Sequence, residues 1–181
     1  SGVGVLLEVA RQLRAQPTDI GIDIIFFDAE DYGEHADHDE PTDGIAWCLG
    51  SQYWARVPHV DGYMARFGIL LDMVGDPSAT FPREYFSVNY AGTYVEQIWR
   101  TATKLGYGRY FVNQSAYPIT DDHYYLNTLA GIPCVDIIDY KPNNGTGFAE
   151  WWHTQQDDMR NINHQTLQAV GETVLTTLCS K

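Results

Sequence analysis

Three short apolar runs, rich in β-branched and aromatic residues, constrain this chain most. They are residues 20–27, ending at "DAED"; "GILL", ending at Asp72; and "IPCVDII", ending at a loop after Tyr140. Each reads as a buried strand. Segments of helical period separate them. Val3, Leu6, Leu7, Ala10 and Leu13 predict a helix from about Gly2 to Arg14. "SQYWAR" fits a short helix, "TYVEQIWRTATKLG" a longer one closed by Gly106, and "DDHYYLNTLAG" another, with Asp121 as N-cap and Gly131 after it. A last helix follows Asn163, with Leu167, Val170, Val174, Leu175 and Leu178 on one face. Alternating strands and helices predict an α/β fold, a three-layer αβα sandwich around a mixed, mostly parallel sheet. Ligands of such sheets lie beyond the carboxyl ends of the strands. The odd residues fall there: Asp28 to Asp31, Asp72 and the loop after Tyr140. Two long polar loops, 28–46 and 141–157, also have the length of functional loops.

A chain of 181 residues suits one domain with a sizeable core. Its formal net charge of -13 and lack of a basic run argue against nucleic acid as a partner. No apolar run is long enough to span a bilayer. Cys48, Cys134 and Cys179 are too scattered for a disulfide framework or a CxxC metal site.

Four stretches carry candidate chemistry: "DAEDYG", "LLDMVGDP", "ITDDHYYL" and "EWWHTQQDD". Adjacent carboxylates at a strand end repel. A divalent cation relieves that cost, one acid binding it while its neighbour serves as general base. "EDYGE" alone reads more readily as a solvated acidic loop. His153 sits in a Trp-rich loop, with Asp157 placed to accept its second ring N–H; the plainer reading is a turn acid beside a surface histidine. Trp151 and Trp152 fit either loop anchors or the wall of an apolar pocket. Asp121 and Asp122 fit a helix cap and first-turn acid, and His123 an exposed first-turn residue. Asp72 closes a buried strand and so needs a metal, a proton or a hydrogen bond.

In their order along the chain, "SGVGVLLEVAR", "IDIIFFDAED", "LLDMVGDP", "TDDHYYL" with "GIPCVDII", and "WWHT" resemble the zinc exopeptidases of the aminopeptidase and glutaminyl cyclase superfamily. The resemblance spans nearly the whole chain. It implies a zinc cofactor, Glu30 as general base, and Asp31 and His153 as zinc ligands. Most relatives have two glutamates where this chain has Glu30 and Asp31. Asp72 matches a carboxylate that binds a second zinc in two-metal aminopeptidases. In the cyclases it joins a hydrogen-bond network with the acid matched by Asp121.

Within that superfamily the chain is most similar to the bacterial glutaminyl cyclases, because Trp152 directly precedes His153 and the Asp motifs follow the cyclase pattern. Thr120 departs from it, since those cyclases carry Gln there. The resemblance implies Trp152, Phe148 and Trp47 as substrate-binding residues, and peptide or protein N-termini as substrates. Cyclisation of N-terminal glutamine with release of ammonia is the expected activity, zinc aminopeptidase activity the alternative. The family's further Asp ligand precedes the "SGVG" helix. The chain is therefore expected to be the C-terminal part of a longer, secreted or periplasmic enzyme, and as an isolated piece it would lack a ligand and the first strands of the sheet.

Overall fold

The computed structural model describes residues 1–15, 18–31, 33 and 47–180. Two parallel strand pairs form its ladders. β1 (Gly68–Asp72) pairs with β4 (Cys134–Ile138), Gly68 opposite Cys134 and Asp72 opposite Ile138. β2 (Phe81–Arg83) pairs with β3 (Phe111–Ser115), with a shift of register between Phe81 and Arg83. Parallel pairs need crossovers, and helices supply them. All five residues of β4 are buried, which accounts for its continuous apolar character.

Helix α1 (Gly2–Ala15) turns Val5 and Val9 inward onto α5 (His164–Cys179) and β1. Gly2 allows that approach, because a Cβ there would lie 2.0 Å from the Leu71 carbonyl oxygen. The Asn163 side chain caps α5 by accepting from the N–H groups of Gln165 and Thr166. Thr173 and Thr177 lie buried inside α5, each donating to the carbonyl four residues back.

Helix α3 (Tyr85–Lys104) starts earlier than its periodicity predicts, because the Glu84 side chain caps it at Phe86 and Ser87. A kink at Ala91 (φ -131, ψ 28) interrupts it. Its inner face brings Val95, Ile98 and Trp99 onto Phe81 and Phe111. The Phe81 and Phe111 rings lie 5.1 Å apart, and Trp99 meets Phe111 edge-on at 5.3 Å. The buried Trp99 indole N–H is satisfied by the carbonyls of Phe81 and Val112. Each such side chain contributes about 1.5–3 kcal/mol by leaving water. The remaining elements are α2 (Leu49–Arg56) and α4 (Asp122–Tyr125), the latter continuing as a π-turn, Leu126–Ala130, closed by Gly131 at φ 66. Among the described residues no helix is long and apolar enough to cross a membrane.

The first apolar run departs from expectation. Residues 20–27 join no ladder among the described residues. Ile20 and Phe26 are exposed. A cavity of about 750 Å³ separates this segment from β1, α1 and α5, so its apolar side chains border open space instead of neighbouring strands. Most of the polar loop 28–46 lies outside the described residues.

Candidate metal and catalytic site

The first apolar run delivers Glu30 and Asp31, and the start of α2 holds its end. The N–H groups of Cys48, Leu49 and Gly50 donate to the carbonyls of Glu30, Ala29 and Asp28 at 2.9, 3.1 and 3.1 Å. Gly50 is needed for this approach, since a Cβ would meet the Asp28 oxygen at 2.4 Å. β1 delivers Asp72, and the turn into α4 delivers Asp121. The loop after Tyr140 delivers Phe148, Trp152 and His153. All of these, with Trp47 and Asp157, line one cleft of about 550 Å³.

Asp31 and His153, 122 positions apart in sequence, meet at 3.0 Å between Oδ1 and Nε2. Neighbouring ligands on a tetrahedral zinc with bonds near 2.0 Å stand about 3.3 Å apart, so this oxygen–nitrogen pair fits such an ion. Two trios of donor atoms also lie within 4.8 Å of one another among the described residues: Glu30–Cys48–Asp121 and Asp121–His123–Asp136. Both suit zinc less well. Burial and the nearby Asp121 and Asp122 push the Cys48 thiol up, so it stays protonated. In the second trio all three residues are buried, and burial holds both acids, Asp121 and Asp136, well above the usual carboxylate range.

The acids of the cleft are short of partners. Burial raises Glu30 to about 8, with repulsion from Asp31 and Asp72 adding to it. Burial also raises Asp72 to about 6, opposed by the Met73 backbone N–H and reinforced by Asp31 and Asp122. Asp121 is held well above the usual carboxylate range by burial and by Asp72 and Asp122, although its side chain accepts from the Asp122 N–H as the helix cap. A cation at Asp31 and His153 would offset this repulsion.

Aromatic rings wall the other side. Trp152 stacks on His153 with centroids 3.8 Å apart, Trp47 faces the same imidazole at 6.3 Å, and Phe148 packs on Trp152 at 4.7 Å. His153 itself has φ 57, a left-handed conformation uncommon outside glycine. Its ring nitrogen Nε2 points to Asp31, while Asp157 is exposed on the wall of the cleft.

His123 is fully buried, not the exposed first-turn residue that its position in "DDHYYL" indicates. It lies between Glu84 and Asp136, its Nδ1 3.6 Å from the Asp136 carboxylate. Sequence reasoning missed Glu84 and Asp136, and placed His123 on the surface. An available signal was Asp136 itself, a charge in the middle of the apolar run "CVDII", which calls for a buried partner just as Asp72 does.

The chain is similar to several known proteins. A Zn-dependent exopeptidase from Parabacteroides distasonis superposes with a TM-score of 0.97 at 52% identity. A glutaminyl cyclase from Tannerella forsythia superposes with 0.94 at 54% identity. Each is matched by the whole of this chain, which spans 62% of its length. Aminopeptidase YwaD of Bacillus subtilis is 28% identical over 177 residues, 96% of this chain and 35% of the relative. The sequence pattern of Peptidase family M28 matches residues 1–178. On that match and these superpositions, the chain belongs to Peptidase family M28.

Proposed function

We propose that this chain carries the base, two zinc ligands and the substrate wall of a glutaminyl-peptide cyclotransferase. The observation that supports this reading best is His153, packed face to face on Trp152 while its Nε2 turns to Asp31. A ligand histidine and an aromatic surface for a substrate side chain thus share one edge of the cleft. The similarity to the Tannerella forsythia cyclase supports it further.

Asp31 and His153 would hold zinc, which when bound polarises the side-chain amide carbonyl of an N-terminal glutamine. Trp152 packs on that side chain and Phe148 backs it. Glu30 takes a proton from the α-amine as the amine nitrogen bonds to the amide carbon. The bond from that carbon to the amide nitrogen breaks, and Glu30 returns the proton to the departing nitrogen. The products are a pyroglutamyl peptide and ammonia. Asp72 and Asp121, both raised by burial, share a proton with Glu30 and hold it in place. Peptide or protein N-termini are the substrates, and a secreted or periplasmic location belongs to the same reading.

One observation favours a second reading. Asp72 ends β1 close enough to raise Glu30, and a carboxylate there could hold a second zinc for aminopeptidase chemistry. Gln-initiated and Leu-initiated peptides offered side by side separate the two. The cyclase reading expects ammonia and pyroglutamyl product from the first and little free leucine from the second. Faster release of leucine than of ammonia would favour the aminopeptidase.

A further inference from the structure

We infer that Cys48 is a positioning residue for the base, its thiol holding one oxygen of Glu30. The inference rests on the reading of Glu30 as the base.

Cys48 occupies the position before the first residue of α2, where Ser, Thr, Asp and Asn prevail because their side chains cap the helix. The Cys48 side chain makes no cap. Leu49 and Gly50 donate instead to the carbonyls of Ala29 and Asp28, which replace part of the cap. The side chain is thereby released for another partner. Its Sγ lies 3.8 Å from Glu30 Oε1, within reach of a hydrogen bond from sulfur, while its own N–H donates to the Glu30 carbonyl at 2.9 Å. One residue therefore grips both the backbone and the side chain of the base.

A buried cysteine is most often a small apolar filler. Two features set Cys48 apart. It is fully buried at φ 55 and ψ 38, a left-handed conformation where glycine is the ordinary choice. A side chain retained at such a place points to a use for it. Moreover, the sulfur lies between two carboxylates, Glu30 and Asp122, that share its one proton, with Asp121 also close by. In that acidic, buried setting the thiol keeps its proton and serves as an uncharged donor. The thiol at Oε1 and the neighbouring Asp31 side chain together fix the orientation of the Glu30 carboxyl group.

The test compares Cys48→Ala and Cys48→Ser in the zinc-loaded enzyme, with Glu30→Gln measured alongside. Cys48→Ala should lower kcat about tenfold with KM changed less than about twofold, the signature of a displaced base. Cys48→Ser, which restores a donor, should recover kcat to within about threefold of the parent. Melting curves and zinc content, close to the parent in both variants, establish that the fold is kept. Parent-like kcat in Cys48→Ala, or an equal loss in Cys48→Ser, overturns the inference. Near-normal turnover of Glu30→Gln would instead overturn the reading of Glu30 as the base.

Discussion

Glu84 is fully buried and Glu30 half-buried, and their surroundings are opposite. Glu84 accepts from the N–H groups of Phe86, Ser87 and Ile119, from the Ser87 hydroxyl, and pairs with His123, all at 2.7–3.0 Å. Burial pushes its carboxyl up, but His123 and the amides of Ser87 and Phe86 outweigh that, and the net shift is down. Glu30 faces Asp31, Asp72 and Asp122, and its shift is up. A carboxylate that builds the fold is surrounded by donors. The one proposed to serve chemistry is left short of them, so that a proton or a cation can move the balance. Glu84 also stands behind the site, since Ile119 leads into the turn that carries Asp121.

Removing the well-partnered acid should have the largest effect, and on stability. Glu84→Ala leaves buried His123 and three backbone N–H groups without their acceptor. A loss of about 3 kcal/mol is expected, the scale for breaking a buried ion pair. Denaturant titration would measure it, and a change under about 0.5 kcal/mol would mean that the donors find water or other acceptors. Glu30→Gln inverts the outcome. Stability and zinc content should hold, while turnover falls roughly a hundredfold or more. If turnover persists, the contrast between the two acids has no bearing on catalysis.

The parts of the molecule legible in the sequence are those where one face or one run is apolar. α1, β1, β4 and α5 follow from periodicity and run length, Asn163 caps α5 as expected, and Gly131 closes the turn after α4. β2 and β3 were not legible: Pro82 sits inside one, and the other ends in polar "NQS". The early start of α3 was hidden because glutamate is not among the preferred cap residues. Residues 20–27 read as a strand by composition, but a ladder depends on neighbours, which composition does not contain. In the cleft, Glu30, Asp31, Asp72, Asp121, Trp152 and His153 stand together, drawn from four separate stretches. Glu84 and Asp136 were missed because their partners are far off in sequence, and only folding brings them to His123.

The aromatic wall offers a milder break. Trp152→Ala removes packing area but no proton donor or acceptor from the reaction. Under the cyclase reading KM should rise about tenfold, near 1.4 kcal/mol, with kcat within a few-fold of the parent. Equal losses in kcat and kcat/KM would place Trp152 in the transition state or in the support of His153, against which it stacks.

Smallest in size, but most direct on the contrast between the two acids, is the pH dependence of stability without metal. Glu30 and Asp72 have raised values in the folded chain, about 8 and about 6, against ordinary values of 4.5 and 3.8. The folded state thus binds their protons more tightly than the unfolded one. Their contribution is fully present below the ordinary values and is lost as pH rises through about 6 and then about 8. Glu84, lowered in the folded chain, contributes with the opposite sign: its share is present above the ordinary glutamate value and is lost as pH falls through its folded value. With chelator present, Tm should therefore be lower at about pH 8.5 than at about pH 5. Glu30 is only half-buried and solvent screens part of its repulsion, so a difference of about 2–4 °C is expected, corresponding to ~1 kcal/mol in a domain of this size. Under the proposed ligand pair, Asp31 and His153, added zinc favours the ionised acids and should shrink that difference. Equal Tm values in chelator would show that water or a local rearrangement already relieves the acids, and the contrast with Glu84 would then lose its energetic basis.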